Sequence, residues 1–143
     1  QQPGDFEEIY EQSLEEGNFA RDRREYKVAE TAYVRAKAVK STDFRAVYGL
    51  GNIYSDQQLW EEAEIAYREA IALAPDAPEP YIAISFVLTQ PIVGKDLSIR
   101  FLEAQKMARR AIELDPSNPF AYDQLGVALE LSGNIDKPTF DAY

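Results

Sequence analysis

Apolar residues recur along this chain at intervals of three and four, and the recurrences themselves repeat. Tyr26, Ala29, Tyr33 and Ala36 return as Trp60, Ala63, Tyr67 and Ala70, each 34 residues later, and Gly17-Asn18 returns as Gly51-Asn52. Spacing of three and four puts side chains on one face of an α-helix. Val47, Leu50, Gly51 and Tyr54 therefore predict one amphipathic helix, and Trp60 to Ala70 predict a second. Two such stripes in one unit bury each other as an antiparallel pair. Gly51, Ala63 and Ala70 are small enough to let the helices approach closely, with Tyr54, Trp60 and Tyr67 filling the space between neighbouring pairs.

A third copy follows after 41 residues, with Ala63, Ala70 and Pro75 returning as Ala104, Ala111 and Pro116. Val47 and Leu50 still map to Tyr81 and Ile84 at 34, so seven residues are inserted inside the third copy, after about Leu88. Seven residues are nearly two helical turns and preserve the buried face if added to a helix. Pro91 and Gly94 break the first helix, and Asp96 caps a long second helix from Leu97 to about Leu114. The loop formed by Pro91, Ile92, Val93 and Gly94 then protrudes, and its two apolar residues either fold back over the long helix or meet a partner. A fourth, incomplete copy starts at Pro119, where Tyr122, Leu125 and Gly126 repeat Tyr81, Ile84 and Ser85.

Leu50-Gly51, Tyr54, Ala63, Tyr67, Ala70 and Pro75 in the second copy, Phe44 to Ala77, closely resemble the tetratricopeptide repeat. The resemblance covers almost the whole chain. It implies an all-α fold, a right-handed α-α superhelix of antiparallel helix pairs, forming a single domain over 1–143. The repeats are assigned to about 10–43, 44–77, 78–118 with the insertion, and 119–143. Terminal signals agree with helical pairs: Asp5 with Glu8 reads as a capping box, Asn118 precedes Pro119, and Pro75 and Pro116 follow helix ends.

Both ends depart from the pattern. Ser13 and Glu16 stand where the second copy has Val47 and Leu50, which predicts a polar outer face on the first helix. That helix is expected to begin at Phe6, with Phe6 and Ile9 packing back onto the second. At the other end, Asp136 caps a last helix through Lys137-Pro138 that is too short to cover Leu125 and Leu129. Either the natural chain continues or another copy supplies the cover. The missing initiator methionine is read as a removed leader or a cut piece of a longer chain, and the compartment stays open.

Composition narrows the chemistry. The 143 residues hold no histidine and no cysteine, which removes thiolate nucleophiles, Ser-His-Asp relays, Cys/His metal sites and disulfides. Adjacent acids such as Glu61-Glu62 diverge by roughly 100° around a helix and do not converge on one substrate. With no phosphate-cradling glycine loop and no calcium loop, the reading is a non-catalytic chain with no cofactor and no metal. A net charge of −10 speaks against nucleic acid, whose phosphates need Lys and Arg, and no apolar run is long enough to insert in a membrane. The charge is banded: residues 21–45 carry eight bases against four acids, while 46–90 carry one base against seven acids. Such bands admit head-to-tail association that weakens with salt.

The resemblance places function on the surface lined by the first helices, which grips an extended or helical segment of another protein. Helical spacing puts Glu11, Leu14, Asn18 and Arg21 on that stripe in the first repeat, and Arg45, Tyr48, Asn52 and Ser55 in the second. Glu79, Ile82, Phe86 and Thr89 follow in the third, then Phe120, Asp123, Val127 and Glu130. Leu14, Tyr48, Ile82, Phe86, Phe120 and Val127 form an apolar track that either anchors partner side chains or packs on a neighbouring helix or second copy. Asn18 and Asn52 either hydrogen-bond a bound main chain or are taken up by water or an inter-repeat bond. Some members of the family clamp a chaperone C-terminal carboxylate with lysines, an arginine and asparagines. Here Leu14 replaces one lysine and Glu79 and Ala83 stand where bases are needed, so the expected partner is a protein or peptide with basic and hydrophobic residues. A self-associating module, a homo-oligomer built through the incomplete last repeat, is the competing reading.

Overall fold

The computed structural model describes residues 3–136, and among them every regular element is an α-helix. They are α1 (Pro3–Asp22), α2 (Tyr26–Val39), α3 (Phe44–Asp56), α4 (Trp60–Leu73), α5 (Pro78–Leu88), α6 (Leu97–Leu114) and α7 (Pro119–Asp136). The chain is thus an all-α helical repeat. Two compact units meet in sequence between Pro75 and Asp76, at the border of the second and third repeats.

In the first unit α1 pairs with α2 and α3 with α4, and α3 also packs on α1 and α2. The stripes do what their spacing predicts: Ala29, Ala32, Tyr33 and Ala36 of α2 and Ala63, Ala66, Tyr67 and Ala70 of α4 are all buried. The close approach has a specific geometry. A Cβ at Gly17 would lie 2.5 Å from the Tyr33 ring, and one at Gly51 would lie 2.5 Å from the Tyr67 ring, far inside carbon contact distance. Each tyrosine therefore lies against a helix that only glycine leaves room for. Tyr33 also rests on Gly49 of α3, so one ring joins two repeats. Tyr54 makes a second tie across repeats, its hydroxyl donating to Glu30 at 2.8 Å.

The hairpin turns repeat as well. Arg24 (φ 60°) and Gln58 (φ 62°) both adopt the left-handed conformation, and the next residues, Glu25 and Leu59, donate to the carbonyls of Ala20 and Tyr54 at 2.8 and 2.9 Å. This is the six-to-one bond that closes a helix C-terminus. Asp43 then caps α3, accepting from the Arg45 backbone at 3.0 Å.

In the second unit α6 packs against both α5 and α7, and α5 also touches α7. Tyr81, Ile84, Val87, Leu88, Phe101, Ala104, Ala108 and Ala111 are buried. The inserted segment behaves as expected: Asp96 caps α6, accepting from the backbones of Ser98 and Ile99 at 3.0 and 3.3 Å, and α6 runs to Leu114. Gly94 takes φ +82° in the loop, where Ile92 is half-buried and Val93 fully exposed.

The N-terminal end corrects the sequence-based expectation. α1 begins at Pro3, so Asp5 lies in its first turn, where a carboxylate suits the helix dipole, and is not a cap. Phe6 stays exposed and Ile9 is only half-buried. Ser13, expected on a solvent face, is buried, because α1 is covered by both α2 and α3 and its buried stripe widens to Tyr10, Ser13, Leu14 and Gly17. Glu16 is exposed as expected and pairs with Arg35 at 2.7 Å. α7 continues unbroken through Asp136, and the last helix expected from Lys137-Pro138 lies outside the described residues. Leu125 is half-buried and Leu129 exposed, in line with the expected incomplete cover.

Candidate functional site

The stripe expected on the first helices falls on two separate faces, one in each unit. In the first unit a cleft of about 530 Å³ opens between α1 and α3, lined by Glu11, Leu14, Glu15, Asn18 and Arg21 from α1 and by Arg45, Tyr48, Gly49 and Asn52 from α3. Helical spacing accounts for this lining: positions 11, 14 and 18 of α1 recur 34 residues later as 45, 48 and 52 of α3, and the two helices run side by side.

The asparagines are held in the same way in both repeats. The Tyr33 hydroxyl donates to Asn18 Oδ1 at 2.6 Å, and the Tyr67 hydroxyl donates to Asn52 Oδ1 at 2.6 Å. Each bond lies within its own helix pair and takes up the amide oxygen. Because the tyrosine occupies the amide oxygen, the Nδ2 group is left as a donor at the cleft wall. Burial pushes the Tyr33 hydroxyl up to about 12 and Tyr67 higher still, so both remain protonated donors at any physiological pH. The orienting residues are thus the second-helix tyrosines, which spacing marked only as core. Their signal is a second recurrence, with Tyr fifteen residues after Asn in each repeat.

Both arginines of this cleft are paired. Arg45 bonds Glu11 and Asp43, each at 2.9 Å, and its guanidinium lies 5.2 Å from the centre of the Tyr10 ring. Burial pushes the Asp43 carboxyl up, but hydrogen bonds from Arg45 outweigh it and bring the group to about 2. Arg21 forks onto Asp56 at 2.7 and 3.1 Å, which raises its own pKa. The opposite charges at the matching positions Glu11 and Arg45 were readable from the 34-residue register.

Two residues of the expected stripe, Leu14 and Thr89, are buried. Leu14 is buried in the core of the first unit, because α3 covers that side of α1. Tyr48, its counterpart, is half-buried, with its ring 6.2 Å from Phe44 and 5.8 Å from Tyr67. In the second unit Thr89 is buried at the end of α5, its hydroxyl donating back to the Phe86 carbonyl at 2.6 Å.

The remaining residues of the stripe form the second face. On α5 Glu79 and Phe86 are exposed and Ile82 is half-buried; on α7 Phe120, Asp123, Val127 and Glu130 are exposed. Phe120, Asp123 and Val127 repeat the register of Glu79, Ile82 and Phe86 after 41 residues. Phe86 and Val127 stand where the first unit has Asn18 and Asn52. The substitution is paired: Ala108 takes the place of Tyr67, and Ser85 that of Gly51. The Ser85 hydroxyl instead donates to the Ala104 carbonyl of α6 at 2.8 Å. Where the tyrosine is lost, so is the asparagine it orients.

No group of acids able to hold a metal ion occurs among the described residues, and no described helix is long and apolar enough to cross a membrane.

Comparison with known proteins agrees with this architecture. Residues 14–78 match the family model for the tetratricopeptide repeat. No curated protein matches the chain by sequence. Among solved structures, the tetratricopeptide domain of Arabidopsis OM64 superposes with a TM-score of 0.74 at 18% identity, over 86% of this chain and 96% of that one. The second tetratricopeptide domain of human RPAP3, solved in complex with the HSP70 peptide SGPTIEEVD, gives 0.74 at 20% identity, over 86% and 97%. A tetratricopeptide protein of Thermus thermophilus gives 0.77 at 20% identity, over 89% and 68%.

Proposed function

Because residues 14–78 match the tetratricopeptide repeat family model and the fold superposes on tetratricopeptide domains over most of the chain, we propose that it is a non-catalytic scaffold that binds a segment of a partner protein on its first helices. The observation that carries the reading is the repeated Tyr–Asn pair. It holds two amide groups, one per repeat, as fixed donors on an open cleft, and fixed donors suit the main-chain carbonyls of an extended segment. Preorganisation matters because an amide already oriented loses little freedom on binding.

The RPAP3 domain takes a peptide segment on the same fold, which supports the reading, though its peptide is acidic. In this chain the arginines of the first cleft are engaged by carboxylates, and the face on α5 and α7 offers Glu79, Asp123 and Glu130 beside Phe86, Phe120 and Val127. Those groups suit a partner with basic and hydrophobic residues. The protruding Pro91, Ile92, Val93 and Gly94 extend the contact surface, with Val93 fully open to solvent.

The test exploits the chemistry of the pair. Asn18→Asp with Asn52→Asp keeps an acceptor for each tyrosine and removes the amide donor. Wild type and the double variant are used to capture partners from the native host, with folding followed by circular dichroism. A specific partner lost from a folded variant supports the cleft, and an identical partner list sinks it.

A second reading is favoured by a smaller apolar cleft of about 220 Å³ between α6 and α7, lined by Ser98, Ile99, Leu102, Ser132 and Ile135. Ile99 and Leu102 are well exposed there, which suits self-association through the last repeat. Sedimentation that shifts with concentration, and stops shifting in Leu102→Glu, is the outcome this reading requires.

A further inference from the structure

The two faces differ in chemistry, and the difference follows the repeat register. In the first unit both arginines of the cleft have carboxylate partners: Arg45 pairs with Glu11, and Arg21 with Asp56. In the second unit neither α5 nor α7 contains a lysine or arginine among the described residues. The unit's described bases lie on α6 and the loop before it, and Arg110 is taken up by Glu113 at 3.0 Å and by Asp76 at 3.8 Å. Glu79, Asp123 and Glu130 make no ion pair with any described residue.

Apolar groups take the positions that the amides hold in the first unit. Phe86 is 42% exposed, Val127 41% and Phe120 68%. Exposed aromatic side chains cost solvation that a covering partner returns, and uncompensated acids around them select the sign of that partner's charge. Phe86 and Val127 occupy the register positions of the tyrosine-held asparagines, so the repeated amide donors of the first unit are missing at those positions. A segment that satisfies its own backbone hydrogen bonds is favoured, which means a helix.

We propose that the α5–α7 face binds a cationic amphipathic helix, with leucine-like residues on Phe86, Phe120 and Val127 and lysine or arginine beside Glu79, Asp123 and Glu130. This rests on the scaffold reading and assigns the partner chemistry of one of its two faces. The first unit then holds main chain, and the second unit selects side chains.

The probe is a capped peptide of about four helical turns, with leucine at positions i, i+3, i+4 and i+7 and lysine elsewhere. Its controls are a scrambled peptide of equal composition and a version with glutamate for lysine. Binding to the full chain is measured by fluorescence anisotropy. The amphipathic lysine peptide is expected to bind at least about tenfold more tightly than either control. Phe86→Ala with Phe120→Ala is expected to weaken it by about tenfold or more, Glu79→Gln with Asp123→Gln to flatten its salt dependence, and Ile65→Ala, exposed on α4, to leave it unchanged. Circular dichroism confirms that each variant is folded. Equal binding of the scrambled peptide, tighter binding of the glutamate version, or insensitivity to the phenylalanine variant overturns the proposal. In that event partner capture that still depends on Asn18 and Asn52 leaves the scaffold reading standing, whereas capture insensitive to every one of these residues removes both.

Discussion

Replacing Gly51 with alanine tests the packing that orients Asn52. An added Cβ would lie 2.5, 2.6 and 3.1 Å from three carbons of the Tyr67 ring, where carbon atoms normally keep about 3.5–4 Å apart. Tyr67 is buried and tied by its hydroxyl to Asn52, so the ring cannot swing into solvent, and either it leaves its rotamer or α3 moves off α4. Overpacking of this kind costs about 1–3 kcal/mol. Losing the Tyr67–Asn52 bond adds about 1 kcal/mol, and the better helix propensity of alanine returns about 1 kcal/mol. The net expectation is destabilisation by about 1–3 kcal/mol. Gly126 on α7 is the internal control, because its added Cβ meets nothing within 4 Å. Gly126→Ala should therefore stabilise by about 0.5–1 kcal/mol. Urea unfolding followed by fluorescence of Trp60, the single tryptophan, reports on the first unit, and circular dichroism reports on both. The cost of Gly51→Ala should vanish in a Tyr67→Ala background. A Gly51→Ala protein as stable as wild type would refute the reasoning, because Tyr67 would then not be lodged against α3.

Other predictions follow from local geometry. Gln58→Gly should raise stability by about 0.5–1 kcal/mol, since Gln58 holds φ 62° and glycine adopts that conformation without strain; the measurement is the urea midpoint. Asp43 has its pKa lowered in the folded state to about 2, so its contribution is complete above the unfolded value near 3.8 and is lost as pH falls through about 2. Asp43→Asn keeps a capping side chain and should flatten stability over that pH window in acid titrations. Tyr33→Phe and Tyr67→Phe should each release one asparagine, weakening partner binding while leaving the circular dichroism spectrum unchanged.

Most of the helical frame can be read from spacing, because a buried stripe at three and four is a direct imprint of helix geometry. The 34-residue repeat located the α2 and α4 stripes, and the seven-residue excess located the loop before Asp96 and the length of α6. Spacing gives the direction of a face but not its width. Ser13 was misplaced, and Leu14 is more buried at the cleft wall than spacing suggests, because α1 is covered by two helices and residues flanking the central stripe are buried too. Thr89 was misplaced for a different reason: at the end of α5 its hydroxyl turns back to the chain and does not face solvent. Of the site, the asparagines and the apolar positions were legible, while the tyrosines that orient the asparagines required coordinates to connect residues fifteen apart on different helices.

The measurement that tests the central claim most directly is amide and side-chain chemical-shift mapping of the labelled chain on titration with a captured partner segment. The account expects the side-chain amides of Asn18 and Asn52 to shift first and saturate together. Shifts confined to the outer faces of α2, α4 and α6, with both asparagine side chains unmoved, would contradict it.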